Sequence, residues 1–317
     1  MASALKAVGV PRFLILQRQR SPWMLRRCSA GASAPPRSTM DKVPFDYGGV
    51  LSALARYLDA LHLRDPEMMR QVWHPSSHLK RVGNDGTLVD IPASRFLDIV
   101  GQASGDQVAE QHQQDRVLGL DFAGPCTVLA KVQVQLGQSL YTDFLSLLKL
   151  EQGWLIVSKL FTSRTADSLA FVDTAVPAFA HSEISLTLAE FITACRTSDA
   201  SRLRAVLHPT CQTLAVRKDG ILREVTAEAF IERTGSFYAP LPLGEGAARY
   251  NKVISIDKSG PQTAVAKVQT GYHLKAGQLA VNPTAAAGDF LFTNYLFLMQ
   301  LGGGWSIVSR VYTAEPI

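Results

Sequence analysis

Residues 140–162 read LYTDFLSLLKLEQGWLIVSKLFT, and residues 291–313 read LFTNYLFLMQLGGGWSIVSRVYT. Each stretch predicts two strands joined by a tight turn, with a tryptophan opening the second strand. Adding 151 carries one stretch onto the other: Trp154 onto Trp305, Ser158 onto Ser309, Thr162 onto Thr313. In a chain of 317 residues this spacing means two copies of one domain, each long enough for its own core.

Working outward, the two copies keep one order. From Val50 to Leu63, the residues Leu51, Leu54, Ala55, Leu58 and Leu61 recur at helical spacings. Asp65-Pro66 opens a second short helix, Asp65 as N-cap and Pro66 at the first helical position. Trp73-His74-Pro75 ends it, because the residue before proline is pushed out of the helical region. Gly83-Asn84-Asp85-Gly86 turns a hairpin, Ser94 to Val100 reads as a third helix, and four strands follow at 114–121, 127–136, 140–150 and 154–162. In the second copy Leu186 to Thr197, Asp199, Leu207-His208-Pro209, Lys218-Asp219-Gly220 and Thr226 to Arg233 repeat these signals. About fifteen extra residues near Tyr272 to Asp289 form a lid or a long hairpin tip. Helices early and long strands late predict an α+β fold with an antiparallel sheet in each copy, and a long curved sheet wrapped by helices encloses a cavity. The expected boundaries are a leader at 1–40, domains at 41–163 and 183–317, and a linker at 164–182.

The formal charge of +5 belongs to the leader. Residues 1–40 hold seven bases and no acid, which leaves 25 bases against 27 acids in the rest. The basicity is therefore no argument for nucleic acid binding. An Arg-rich, acid-free start containing Ser and Ala has the composition of an organelle transit peptide. Arg26-Arg27-Cys28-Ser29 favours the mitochondrion, with a plastid as the alternative and the cytosol if translation starts at Met40. No apolar run reaches the ~18 residues of a membrane span. The cysteines 28, 126, 195 and 211 form no CxxC pair, so neither a disulfide framework nor a zinc site is expected.

Each copy resembles the nuclear-transport-factor-2-like (SnoaL-like) superfamily, and the first is similar to the branch described as putative lumazine-binding. The residues that carry the resemblance are Asp65, His74-Pro75, Asp85-Gly86, Tyr141 to Lys149, Gly153-Trp154 and Ile156 to Lys159. It implies two tandem cone-like domains, and it implies either proton-transfer chemistry in the cavity, as in dehydratases, isomerases and cyclases, or a non-catalytic binding or scaffold role. Single-domain relatives pair through their sheets, which implies an intrachain pseudo-dimer and a monomer in solution.

Asp143 lies mid-strand with Tyr141, Leu145 and Leu147 on its face. It is either an acid or base with a raised pKa, or half of an ion pair with Lys131 or Lys159, or a group on a solvated outer face. Its counterpart is Asn294, so a catalytic Asp143 would leave the second copy without a proton carrier. His74 and His208 occupy equivalent junctions. They read either as a general base or donor near the cavity, or as rings that bond a backbone carbonyl. The catalytic candidates are Asp143, His74 and Tyr141; the ligand-binding candidates are His78, Trp154, Ser158, His208, Asn294, Tyr295 and Trp305. Lys131 and Lys267 read as solvent-facing, and the two tryptophans also read as core anchors. His78 is matched by Gln212, and His112 and Asp115 lack metal-ligand spacing, so no metal and no cofactor is expected. Together these signals predict a protein that binds a small apolar or aromatic molecule, or an interaction module. The alternative is a cofactor-free lyase or isomerase acting in the first cavity.

Overall fold

The computed structural model describes residues 45–102, 115–165, 182–237, 239–240, 250–279, 281–282 and 284–317. The leader, most of the linker and His112 lie outside the described residues. The first domain runs α1 (Tyr47–Leu63), α2 (Pro66–Arg70), β1 (Trp73–Val82), β2 (Leu88–Pro92), α3 (Ala93–Gln102), β3 (Arg116–Gly124), β4 (Thr127–Leu136), β5 (Ser139–Leu150) and β6 (Gly153–Thr165). The second runs α4 (Ser182–Thr197), α5 (Ala200–Val206), β7 (Leu207–Val216), β8 (Leu222–Thr226), α6 (Ala227–Phe237), β9 (Ala239–Pro240), β10 (Lys252–Lys258), β11 (Thr263–Leu274), β12 (Gly288–Leu301) and β13 (Gly304–Pro316).

The helix starts follow the expected chemistry. Asp65 accepts from the N–H groups of Glu67 and Met68, both at 2.9 Å, and Asp199 caps α5 through Ser201 and Arg202. Asp46 caps α1 through Gly49 N–H and also accepts from Lys149 Nζ at 2.8 Å and Trp154 Nε1 at 3.0 Å. Lys149, the Gly49 amide and Trp154 together hold Asp46 down to about 2. A strand tryptophan thus fixes where the first helix begins.

The strand order is β2-β1-β6-β5-β4-β3 in one sheet and β8-β7-β13-β12-β11-β10 in the other, with β9 added on β11. The antiparallel expectation needs one amendment per sheet: β1 runs parallel to β6, and β7 parallel to β13. Most of the late strands are joined by tight turns, which enforce antiparallel pairing, and β11 and β12 pair antiparallel across the longer insert. The early hairpin instead docks on the free edge of the last strand through a long connection, which allows either direction. Both long hairpins carry a bulge at the same place. Ser146 pairs with Ser158 and Leu147 with Ile156, leaving Val157 extra, and Val308 is the extra residue of the second copy. The bulges bend the sheets and give each its concave face.

Helices cover that concave face, where Tyr57, Trp73, Leu145 and Ile156 build the first core and Phe191, Leu296 and Ile307 the second. A third core lies between the two sheets, drawing Phe144, Leu148 and Val157 from one and Tyr295, Phe297 and Met299 from the other. β5 and β12 are therefore buried on both faces, which explains their nearly unbroken apolar sequence. The contacts between domains come in matched pairs. Lys131 reaches Asp257 at 2.8 Å and Lys267 reaches Asp121 at 2.7 Å, so these lysines bridge the domains and do not simply face solvent. Ser158 donates to its own counterpart Ser309 at 3.0 Å, which puts a pseudo-twofold axis between them. Buried Lys80 crosses the same interface to the carbonyls of Thr210 and Val308.

The insert of the second copy is a packed hairpin extension, not a free lid. Leu279 and Val281 are buried in the second core, and the Lys218 N–H donates to the Val281 carbonyl at 2.8 Å. Among the described residues no helix is long and apolar enough to cross a membrane.

Candidate functional site

The first concave face closes around a polar cluster. Tyr57 on α1 donates to Asp143 Oδ2 on β5 at 2.8 Å. Lys159 on β6 donates to the same oxygen at 2.9 Å and to the Tyr57 hydroxyl at 2.7 Å. Leu145 pairs with Lys159 and Asp143 with Phe161, so Asp143 and Lys159 are diagonal neighbours on one face of the sheet. Asp143 is fully buried and Lys159 only 5% exposed. Burial, and then the Asp143 charge, push the Tyr57 phenol far above its ordinary value, so Tyr57 stays protonated near neutral pH, a hydrogen-bond donor and not a base.

Lys159 also lines a cavity of about 490 Å³, within the range of small-molecule sites. Its walls include Leu79, Ile91, Phe96, Val134, Tyr141 and Phe161. Arg64, Arg81 and Lys159 bring three positive charges to the lining, with no carboxylate among the described residues. The Lys159 ammonium stands over the rings of Phe161, Tyr57 and Phe96 at 4.9, 5.5 and 5.8 Å. It has three N–H donors, and two are used on Tyr57 and Asp143. The third has no acceptor among the described residues, so it is available to an oxygen in the cavity.

Of the three catalytic candidates, the structure brings Asp143 and Tyr141 to this region and leaves His74 out. His74 lines a separate crevice with Glu151 and Glu224, and its Nδ1 accepts from the Ser76 N–H at 3.1 Å. His208 accepts from the Thr210 N–H at 3.2 Å in the same way. Each ring thus accepts a backbone N–H two residues on, where a bond to a carbonyl was expected. His78 is tied to Asp90 at 2.6 Å on the β1–β2 hairpin, away from the cavity lining. Burial pushes Asp90 up, but its bonds to His78 and Lys80 outweigh that and hold it below its usual value.

Burial also lowers His74 and His208 below the ordinary 6.5. The unfolded chain therefore takes up these two protons before the folded protein does. Stability is complete above pH ~6.5 and falls as pH drops through the lowered folded values. His74→Asn/His208→Asn, in which each Asn can still accept the same N–H, is expected to lose less stability than wild type between pH 7.5 and 5.5 in urea titrations. Equal losses in both proteins would disprove the assignment.

The other candidates serve the framework. Ser158 lies on the pseudo-axis, and Tyr295 donates to the Asp121 carbonyl across the interface at 2.6 Å, so neither reaches a cavity. Trp154 anchors Asp46, and Trp305 is buried in the second core beneath Lys258. Asn294 sits under Arg310, whose Nε donates to its Oδ1 at 2.8 Å. Asp115 bonds His62 at 2.6 Å and joins α1 to β3. No group of three or more potential metal ligands occurs among the described residues.

Tyr57 is the site residue the helical reading passes over. The buried stripe of α1 is Val50, Ala53, Leu54, Tyr57 and Ala60, whereas Leu51 is 46% exposed. Spacings of three and four are present in both sets, and a stripe started one residue earlier finds Tyr57.

The sequence profile of the family described as putative lumazine-binding matches the chain twice, over residues 46–162 and 180–313. Aldolase FrzH of Cladobotryum sp is 27% identical over 120 residues, 37% of this chain and 91% of that protein. A nuclear-transport-factor-2-like protein of unknown function from Shewanella baltica aligns with 20% identity over 40% of this chain and 98% of its own, with a TM-score of 0.34. Another from Methylobacillus flagellatus aligns with 22% identity over 41% and 97%, with a TM-score of 0.33.

Proposed function

Because the chain belongs to the putative lumazine-binding family, which it represents twice over, we propose that its first domain binds a small, largely apolar molecule through one oxygen. The observation that carries this reading is the Lys159 ammonium, fixed by Asp143 and Tyr57, with one N–H left toward an apolar cavity. An anionic or carbonyl oxygen suits that donor, and Arg64 and Arg81 add to the positive potential of the lining. The apolar walls supply affinity for a planar or aliphatic body, and the ammonium sets its orientation.

A second reading, a cofactor-free lyase or isomerase, is favoured by the same ammonium. A preorganised cation in a water-poor site stabilises an oxygen that gains negative charge, as an enolate oxygen does when a carbon–carbon or carbon–hydrogen bond breaks. The relative named as an aldolase supports this reading. Tyr57, held protonated and donating to Asp143, fixes that cation in place.

Native mass spectrometry of gently purified protein tests the proposal. A small-molecule adduct is expected on wild type and is expected to be absent from Lys159→Met, with near-UV circular dichroism confirming the fold. Retention of the same adduct by Lys159→Met sinks the binding reading. If the released molecule is turned over by wild type and equally by Asp143→Asn, Asp143 has no part in the chemistry.

A further inference from the structure

The second domain repeats the polar cluster of the first with its charges unbalanced. The counterparts of Asp143, Lys159 and Tyr57 are Asn294, Arg310 and Phe191. Arg310 is 3% exposed and Asn294 fully buried. The Arg310 guanidinium lies between the rings of Phe230 and Tyr312, at 4.5 and 4.3 Å from their centres. The hydrogen bond it makes runs from Nε to Asn294 Oδ1, a neutral acceptor, and no carboxylate among the described residues pairs with it. Asn294 turns its amide group away, to the carbonyls of Val268 and Phe292 and to Thr270 Oγ1.

The nearby thiols do not balance the charge. Burial pushes Cys195 and Cys211 up to about 11, so both are neutral near pH 7. Arginine cannot shed its proton to escape burial, and a buried unpaired cation is costly. The terminal nitrogens of Arg310 form the planar fork that matches a carboxylate with two parallel N–H···O bonds. Around it the aromatic residues form a train, with Tyr272 against Phe292 at 5.1 Å and Phe292 against Tyr312 at 5.5 Å.

We infer that the second domain is an anion site, in which Arg310 receives the carboxylate of a small planar monoacid that packs against Phe230 and Tyr312. The ligand supplies the counter-charge that Asp143 supplies within the first domain. This site is separate from the Lys159 cavity and does not rest on the reading proposed for it.

Benzoate is the probe and benzamide its neutral control, in thermal-shift titrations of the full chain at constant ionic strength. Wild type is expected to bind benzoate about tenfold or more tighter than benzamide, the worth of a charge-assisted pair. Asn294→Asp places a carboxylate on Arg310 in the arrangement the first domain already tolerates, and is expected to cut benzoate affinity about tenfold or more. Arg310→Met is expected to abolish the preference for benzoate over benzamide, whereas Lys159→Met is expected to keep it. Benzoate binding that survives Asn294→Asp in a Lys159→Met background, where the first cavity lacks its ammonium, or no preference over benzamide in wild type, overturns the inference. Loss of the preference in Lys159→Met with retention in Asn294→Asp would also overturn it, by moving the acid to the first cavity.

Discussion

Asp143→Ala is expected to destabilise the protein by about 3–5 kcal/mol, the cost of stranding one partner of a buried ion pair. Lys159 would remain 5% exposed with its charge uncompensated, held by the Tyr57 hydroxyl alone. Lys159→Met in the same chain removes that stranded charge, so Asp143→Ala/Lys159→Met is expected to recover roughly half or more of the loss. Urea denaturation of wild type, the two single variants and the double variant measures the coupling. Additive losses would show that the pair contributes nothing as a pair. The geometry also says why an aspartate stands there. Asp143 Oδ1 is buried without a hydrogen-bond partner, whereas the two N–H groups of the corresponding Asn294 amide share three acceptors. Asparagine satisfies the local hydrogen bonding better; aspartate alone neutralises the lysine.

Phe144→Ala is expected to cost a further class of energy, about 3–5 kcal/mol, because it opens a void in the core shared by the two sheets. Phe144 is fully buried there, with the Lys131 ammonium over its ring at 5.2 Å. Tyr295→Phe at the equivalent position keeps the ring and loses one bond to the Asp121 carbonyl, so about 1 kcal/mol is expected. Lys131→Met removes a pair whose aspartate is 49% exposed, and less than about 1 kcal/mol is expected. Chemical denaturation that ranks the three differently would mean that the interface is held by its polar rim and not by its shared core.

The duplication, the helix caps and the succession of helices and strands are legible in the sequence because each rests on local signals: a repeated hairpin, Asp before Pro, glycine in a turn. The parallel pairing of β1 with β6 is not, since no local residue pattern records which edge a distant hairpin will join. The candidate site is half legible. Asp143 is conspicuous as an acid in an apolar strand, and Lys159 is foreseeable as its ion-pair partner. Tyr57 is 86 residues from Asp143 and looks like one apolar position of an amphipathic helix; only the packing of α1 on the sheet turns its hydroxyl to the carboxylate. Ser158 and Tyr295 mislead for the opposite reason. In an isolated domain the outer face of the sheet would be wet, and polar groups there would invite a ligand. Here that face meets the other domain, and their partners are protein.

The contact of Ser158 with Ser309 has one more consequence. In a symmetric pair of identical chains, every substitution beside the axis is made twice and meets its own image, so a change must suit both sides at once. Within one chain the two sides are free to diverge. Tyr295 carries its hydroxyl to Asp121 while Phe144 does without one, and a carboxylate fills one cone while an amide fills the other. Joining the halves releases the interface from self-complementarity, and with it the need for two cavities to hold the same thing.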